Sequence, residues 1–403
     1  MRHFGFLVLM CFIAFILSGC ALIPSGGMNS AAMIVSLSDD GLRIVSTHSD
    51  NRVLVWDVEQ GLVRRVSSDG NIYSAAISPD GRLVAWQDIE NVIYISSWSG
   101  NTLSSIRFDP VYGQKLSNDG YIFASDIGYG IHRIDENAEH TTLKPSDGRA
   151  AIGYGKLLNL SYDSAKGLLL SAGATMRPDP QDLEDEWERS RYRHLNGLTL
   201  WDVNSETPLR KFTGNAVKTH ATLSPDGQYV VSGCENSQGL VWPLYEDADQ
   251  MRLANLERGM LRRSADAPEN DPWKDSEWDP EYLIDRPEPM DRYGPILAMK
   301  FISDRYFLRF VTYEPWVALH EIGSPWPVKY FHLGDNPMPA VHHYGRNEAI
   351  ATAPETGLLV IAENRGPRLI GYQFDEDELT LTREWIAHPR RGFREASPVS
   401  QQY

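Results

Sequence analysis

Ser-Leu-Ser-Asp-Asp-Gly-Leu-Arg-Ile-Val-Ser-Thr-His-Ser-Asp-Asn-Arg-Val-Leu-Val-Trp-Asp, residues 36–57, decides the fold. A turn at Asp39-Asp40-Gly41 opens it, and an apolar-rich run follows from Ile44 to Ser46. A second polar turn spans His48 to Asn51, and an alternating run through Val53 and Val55 ends at Trp56-Asp57. This pattern predicts two short antiparallel strands with turn chemistry at both ends. Asp-Gly suits a tight connection because Gly tolerates φ > 0 and Asp bonds its own backbone two residues on.

The unit recurs. Asp80-Gly81 lies 40 residues after Asp40-Gly41, and Asp119-Gly120 lies 39 further on. Asp226-Gly227 returns within Ser-Pro-Asp-Gly, a near copy of Ser78 to Gly81. Gly41 to Trp56 and Gly227 to Trp242 share a spacing of 15, and Trp201-Asp202 repeats the strand ending. A period near 40 with four short strands per unit predicts an all-β fold: a seven-bladed β-propeller of four-stranded antiparallel blades. Trp56-Asp57, Trp201-Asp202, the Ser-Pro-Asp-Gly turns and Ser232-Gly233 before Trp242 resemble the WD-repeat family, and Asp50 matches that family's turn aspartate. The resemblance runs from about Met33 to His388, with Ile95 and Ile134 at the Trp position of repeats two and three. The family's Gly-His dipeptide is absent, so its buried His-Ser-Trp-Asp network is expected to be incomplete in every blade.

Residues 1–19 read as a leader. Arg2 gives a positive start, and Phe4 to Leu17 is an apolar run too short to span a bilayer permanently. Leu17-Ser18-Gly19-Cys20 resembles a bacterial lipobox, which implies that Cys20 heads the mature chain and carries acyl chains such as palmitate. Each buried methylene adds ~0.8 kcal/mol of membrane affinity, so several chains would anchor the protein permanently. Ala21 after the Cys, by resemblance to enteric lipoproteins, points to the outer membrane and a periplasmic location in the cell envelope. Residues 20–32 read as the acylated Cys and a flexible tether, 33–388 as the propeller, and 389–403 as a polar, Arg-containing disordered tail.

With Cys11 in the leader and Cys20 acylated, Cys234 stands alone, so no disulfide forms within the mature chain. Cys234 has no basic neighbour in sequence to lower its pKa and reads as an inert buried thiol. The net charge of −16 argues against nucleic acid and against anionic lipid surfaces, both of which need clustered Lys and Arg.

Two insertions break the rhythm. Residues 177–196, between the second and third strands of blade four, mix six acids with four arginines and hold Trp187 and Tyr192. That connection belongs on the propeller's top face, and Leu183 to Tyr192 has the charge spacing of a short helix. Residues 245–293 begin with helical character over Asp247 to Arg263, although Met251 and Leu253 fit equally as the fourth strand of blade five. Their remainder is acidic and Pro-rich and carries Trp273, Trp278 and Tyr282. Two readings of these aromatics stand: they pack the loop onto blades five and six, or they anchor a partner.

Local motifs for catalysis are missing. His342-His343 point to opposite faces of a strand, and Asp375 to Glu378 lacks the alternation and glycine of a calcium loop. No metal site and no cofactor are expected, and the chain reads as a non-enzyme. Two functional expectations follow. The first is a lipid-anchored scaffold that binds envelope proteins through the top face and the insertions, in envelope assembly or maintenance. The second is a periplasmic enzyme or small-ligand binder at the channel mouth, where converging carboxylates, His and Arg would mark the site.

Overall fold

The computed structural model describes residues 31–67, 72–108, 111–126, 131–135, 137, 139–143, 157–173, 197–212, 220–233, 239–244, 260–261, 296–311, 316–324, 327–334, 349–363 and 366–395. Among these the chain forms seven antiparallel sheets, each built from strands consecutive in sequence.

Blade one holds β1 (Ala32–Leu37), β2 (Arg43–His48), β3 (Val53–Asp57) and β4 (Leu62–Ser67). Blade two holds β5 (Ile72–Ile77), β6 (Leu83–Asp88), β7 (Val92–Ser97) and β8 (Thr102–Arg107). Blade three holds β9 (Val111–Leu116), β10 (Ile122–Asp126), β11 (Ile131–Ile134) and β12 (His140–Leu143). Blade four holds β13 (Leu157–Asp163), β14 (Leu168–Gly173), β15 (Gly197–Asp202) and β16 (Thr207–Phe212). Blade five holds β17 (His220–Leu223), β18 (Tyr229–Gly233), β19 (Gly239–Pro243) and β20 (Met260–Leu261). Blade six holds β21 (Ile296–Phe301), β22 (Tyr306–Val311), β23 (Trp316–Glu321) and β24 (Pro327–His332). Blade seven holds β25 (Ile350–Ala353), β26 (Leu358–Ala362), β27 (Leu369–Asp375), β28 (Thr380–His388) and β29 (Gly392–Glu395).

The innermost strands β1, β5, β9, β13, β17, β21 and β25 touch in order, and β25 touches β1, so the ring is closed. This is the predicted seven-bladed propeller. Alternation along each strand sends apolar side chains to both faces of a blade. Burial therefore falls in the seams between blades. Val45, Val84 and Trp86 fill the seam of blades one and two, and Phe123, Leu169 and Trp201 that of blades three and four. Leu308, Phe310, Leu359 and Tyr372 fill the seam of blades six and seven.

Turn chemistry sets the register. Ser38 Oγ donates to Asp40 Oδ1 at 2.6 Å, which also accepts from Leu42 N–H at 2.9 Å, while Gly41 takes φ +70°. The arrangement returns at Ser78, Asp80 and Gly81 (φ +71°) and at Ser224, Asp226 and Gly227 (φ +62°). Asp119-Gly120 forms the matching turn of blade three, with Gly120 at φ +85°. At the far end of β3, Asp57 Oδ1 accepts from Gln60 N–H, and at the end of β15, Asp202 Oδ1 accepts from Asn204 N–H, each at 2.9 Å.

The Trp position follows from strand pairing. Ile44 faces Trp56, Leu169 faces Trp201 and Val230 faces Trp242. Each indole N–H donates to a Ser two residues along the facing strand: Trp56 to Ser46 at 2.8 Å, Trp201 to Ser171 at 2.9 Å, Trp242 to Ser232 at 3.0 Å. In blade one a third member joins, since Ser46 Oγ and His48 Nε2 share a 2.9 Å hydrogen bond. His48 ends β2 itself, so one network gains a histidine without any Gly-His dipeptide. Asp50 forms an ion pair with Arg52 at 2.7 Å. In blade two Val84 pairs with Ser96, which corrects Ile95 at the Trp position by one residue. Ile134 in blade three faces Ile122 as expected, and in blades six and seven the position falls to His320 and Tyr372.

Two further expectations are corrected. The tail from 389 carries strand β29, because Pro389 and Gly392 turn the chain back onto β28. Met260 and Leu261 pair with Leu240 and Gly239 as the fourth strand of blade five, a place the helical reading of Asp247 to Arg263 and the alternative of Met251 and Leu253 both miss. The leader, Cys20, the tether to residue 30, Cys234, His342-His343 and the segment 177–196 lie outside the described residues, as does 245–293 apart from β20.

Candidate functional site: the channel mouth

The inner strands converge on the central channel, and their first turns form one of its mouths. A cavity of about 250 Å³ opens there, lined by all seven blades. Asp39, Lys115, Asp163, Lys300 and Glu355 supply its charge, and Ser36, Ser161, Thr222 and Thr352 its hydroxyls. Lys115 and Lys300 sit two residues before the turn positions Ser117 and Ile302, as Ser36 does before Ser38. One strand position thus faces the channel blade after blade.

Asp39 is the electrostatic centre of the mouth. Its backbone N–H donates to Pro79 C=O at 2.8 Å, which ties the blade-one turn to that of blade two. Its carboxyl reaches water, but protein walls surround it on the other sides. That partial desolvation, then the charges of Glu355, Asp163 and Asp40, push its pKa up to about 6, and Lys115 pulls the other way. Asp163 Oδ2 lies 3.6 Å from Lys166 Nζ, and that ammonium also donates to Asp226 C=O. The mouth is therefore a mixed ring of acids and lysines. No group of three or more His, Cys, Asp or Glu among the described residues is placed to hold a metal ion.

The sequence-predicted positions divide clearly. Asp40, Gly41, Asp80, Gly81, Asp119, Gly120, Asp226 and Gly227 build the turns on the mouth side of the ring, while Trp56, Trp201 and Trp242 lie within the blades. Trp187, Tyr192, Trp273, Trp278 and Tyr282 fall outside the described residues. The mouth charges Lys115, Lys300 and Glu355 escaped the sequence reading. Their one signal is a polar residue in an otherwise apolar inner strand or its turn, and it gains meaning only once seven strands stand side by side.

The ordered turns, the recurring Trp–Ser bond and the seven blades define a seven-bladed β-propeller with WD-repeat-like features. In agreement, residues 206–242 match the family described as WD domain, G-beta repeat (WD40). That segment takes its first strand from blade four and the next three from blade five, so repeat and blade are offset. Among solved structures the chain is similar to the beta-propeller domain of Cps50 (Swd1) from Myceliophteria thermophila, with a TM-score of 0.55 and 14% identity over 84% of this chain and 96% of that one. No curated protein sequence matches the chain.

Proposed function

We propose that this protein is a lipid-anchored interaction scaffold of the bacterial cell envelope, tethered through Cys20 and facing the periplasm from the outer membrane. The carrying observation is the position of the strands that the insertions connect. Residues 177–196 leave and re-enter the ring between β14 and β15, and the part of the second insertion after β20 leads into β21. Connections from second to third strand and from one blade to the next emerge on the same face of a propeller. The strand ends that flank both segments therefore lie on the face opposite the charged mouth, and the sequence of both segments carries large aromatics of the type that anchor interfaces. The WD-type fold supports protein partners by analogy of fold. The leader and lipobox support the address, and an envelope assembly or maintenance role follows from address and fold together.

Two experiments test this reading. Labelling with a radioactive fatty acid should mark the wild-type chain and not Cys20→Ala, and the variant should leave the membrane fraction. Affinity capture from detergent-solubilised envelopes should recover partners that vanish when Ser264 to Tyr293 are deleted. A folded deletion with an unchanged partner set, or no partner from either form, would sink the scaffold reading.

One observation favours a second reading. The cavity with Asp39, Asp163 and Glu355 beside Lys115 and Lys300 fits a small charged ligand at the channel mouth, as a binder or a periplasmic enzyme would need. Substitution of Lys115 and Lys300 by Ala, with calorimetric titration of small charged metabolites, separates the two readings.

A further inference from the structure

The first and last described strands, β1 and β29, flank one seam, and that seam differs from the other six. Each other pair of neighbouring blades is joined covalently, because the outer strand of one runs on into the inner strand of the next. Blades seven and one have no such link. They also share no strand, since β1 lies within blade one and β25 to β29 form blade seven unaided. Opening the ring there breaks only non-covalent contacts.

The C-terminal strand lies across this seam. Beyond β28, Pro389 enters a turn closed by Arg391 N–H to His388 C=O at 3.0 Å, and Gly392 follows at φ +67°. β29 then runs back along β28, with His388 opposite Gly392 and Trp385 opposite Glu395. Its Phe393 ring meets Trp385 of blade seven at 5.0 Å, and Trp56 of blade one at 6.1 Å, both edge to face. A Cβ at Gly392 would stand 3.2 Å from Gly61 C=O, in the turn between β3 and β4. The seam itself is made of small and aliphatic groups, among them Ala32, Val35, Val360 and Leu369, with Phe393 packed against them. Among the described residues one backbone bond, Ala32 N–H to Gly366 C=O at 2.9 Å, ties the start of β1 to blade seven.

We infer that β29 is a clasp: it closes the ring by wedging Phe393 between Trp56 and Trp385, and the ring opens at this seam when the clasp lifts. The clasp replaces strand sharing as the closure device.

Hydrogen exchange on the full chain tests this, comparing wild type with Phe393→Ala, Phe393→Leu and a chain ending at His388. The expected result for Phe393→Ala is exchange faster by about tenfold or more in both β1 and β25–β26, with β9 to β16 unchanged, in line with an aromatic pair on each side of the ring. Phe393→Leu should fall between wild type and Ala. Acceleration confined to β28 and β29, or spread evenly over all seven blades, would overturn the inference. If the shortened chain fails to fold, the two Phe393 variants decide the matter by the same pattern.

Discussion

The imidazole of His320 lies parallel to the ring of Phe307, centroids 5.2 Å apart and planes 8° from parallel. It is fully buried, and neither ring nitrogen has a hydrogen-bond partner among the described residues. Burial, then the charge of Arg309, hold its pKa well below 6.5. The folded state keeps this ring neutral while the unfolded chain takes up a proton near pH 6.5, so stability is full above that pH and falls as acid is added. His320→Leu should be at least as stable as wild type at pH 7.5, because it removes two unsatisfied polar atoms. Its advantage should widen as pH drops from 6.5 to 5. Urea midpoints at the two ends of that range check this; a constant gap would show that His320 does not titrate on unfolding.

Removing the Ser46 hydroxyl leaves the Trp56 indole N–H, held at 2.8 Å, buried without an acceptor. Ser46→Ala should cost about 1–3 kcal/mol. Ser96 is the contrast: it occupies the Trp position of blade two, fully buried, with no partner for its hydroxyl among the described residues. Ser96→Ala should be neutral or stabilising. Denaturant titrations that rank the two variants the other way would refute the assignment of the Trp–Ser bond as a source of blade cohesion.

Asp39 titrates in the folded protein near pH 6, against 3.8 for a free side chain. A raised carboxyl pKa penalises folding once both states are ionised, and the penalty disappears below the unfolded value. Asp39→Asn should melt higher than wild type at pH 7, and the two should converge by about pH 4. Melting curves at both pH values suffice, and equal melting temperatures at pH 7 would mean that the mouth is well solvated.

Gly371 has no room for a side chain, since a Cβ there would stand 2.1 Å from the Trp385 indole. Gly371→Ala must displace that indole, at about 1–3 kcal/mol by the usual scale of overpacking. The near-ultraviolet circular dichroism should change with it, because Trp385 would turn against Phe393. An unaltered spectrum and stability would place the indole elsewhere.

Much of this fold was legible because its determinants are local. The Asp-Gly turns and the fifteen-residue spacing to Trp56 and Trp242 encode strand pairing within a few residues of chain. Legibility failed where pairing partners are distant or the local pattern is degenerate. In Ile95-Ser96-Ser97 an apolar residue lies beside the true facing position, so composition favoured the wrong one by a single step. β29 holds one aromatic beside a single arginine and a glutamate, and its strand character comes from β28 beneath it. The mouth charges lie on different blades, and their convergence is a property of the closed ring alone.

The pairing of Trp56 with Phe393 also orders events in time. These residues stand far apart in the sequence, so their contact closes a long loop. Loop-closure entropy grows with the logarithm of length, and contacts of such separation form slowly. Blade one can assemble before blade seven exists, yet the seam between them must wait for β29. During synthesis the growing protein is an open arc with two uncovered edges. Those edges stay uncovered until Phe393 arrives.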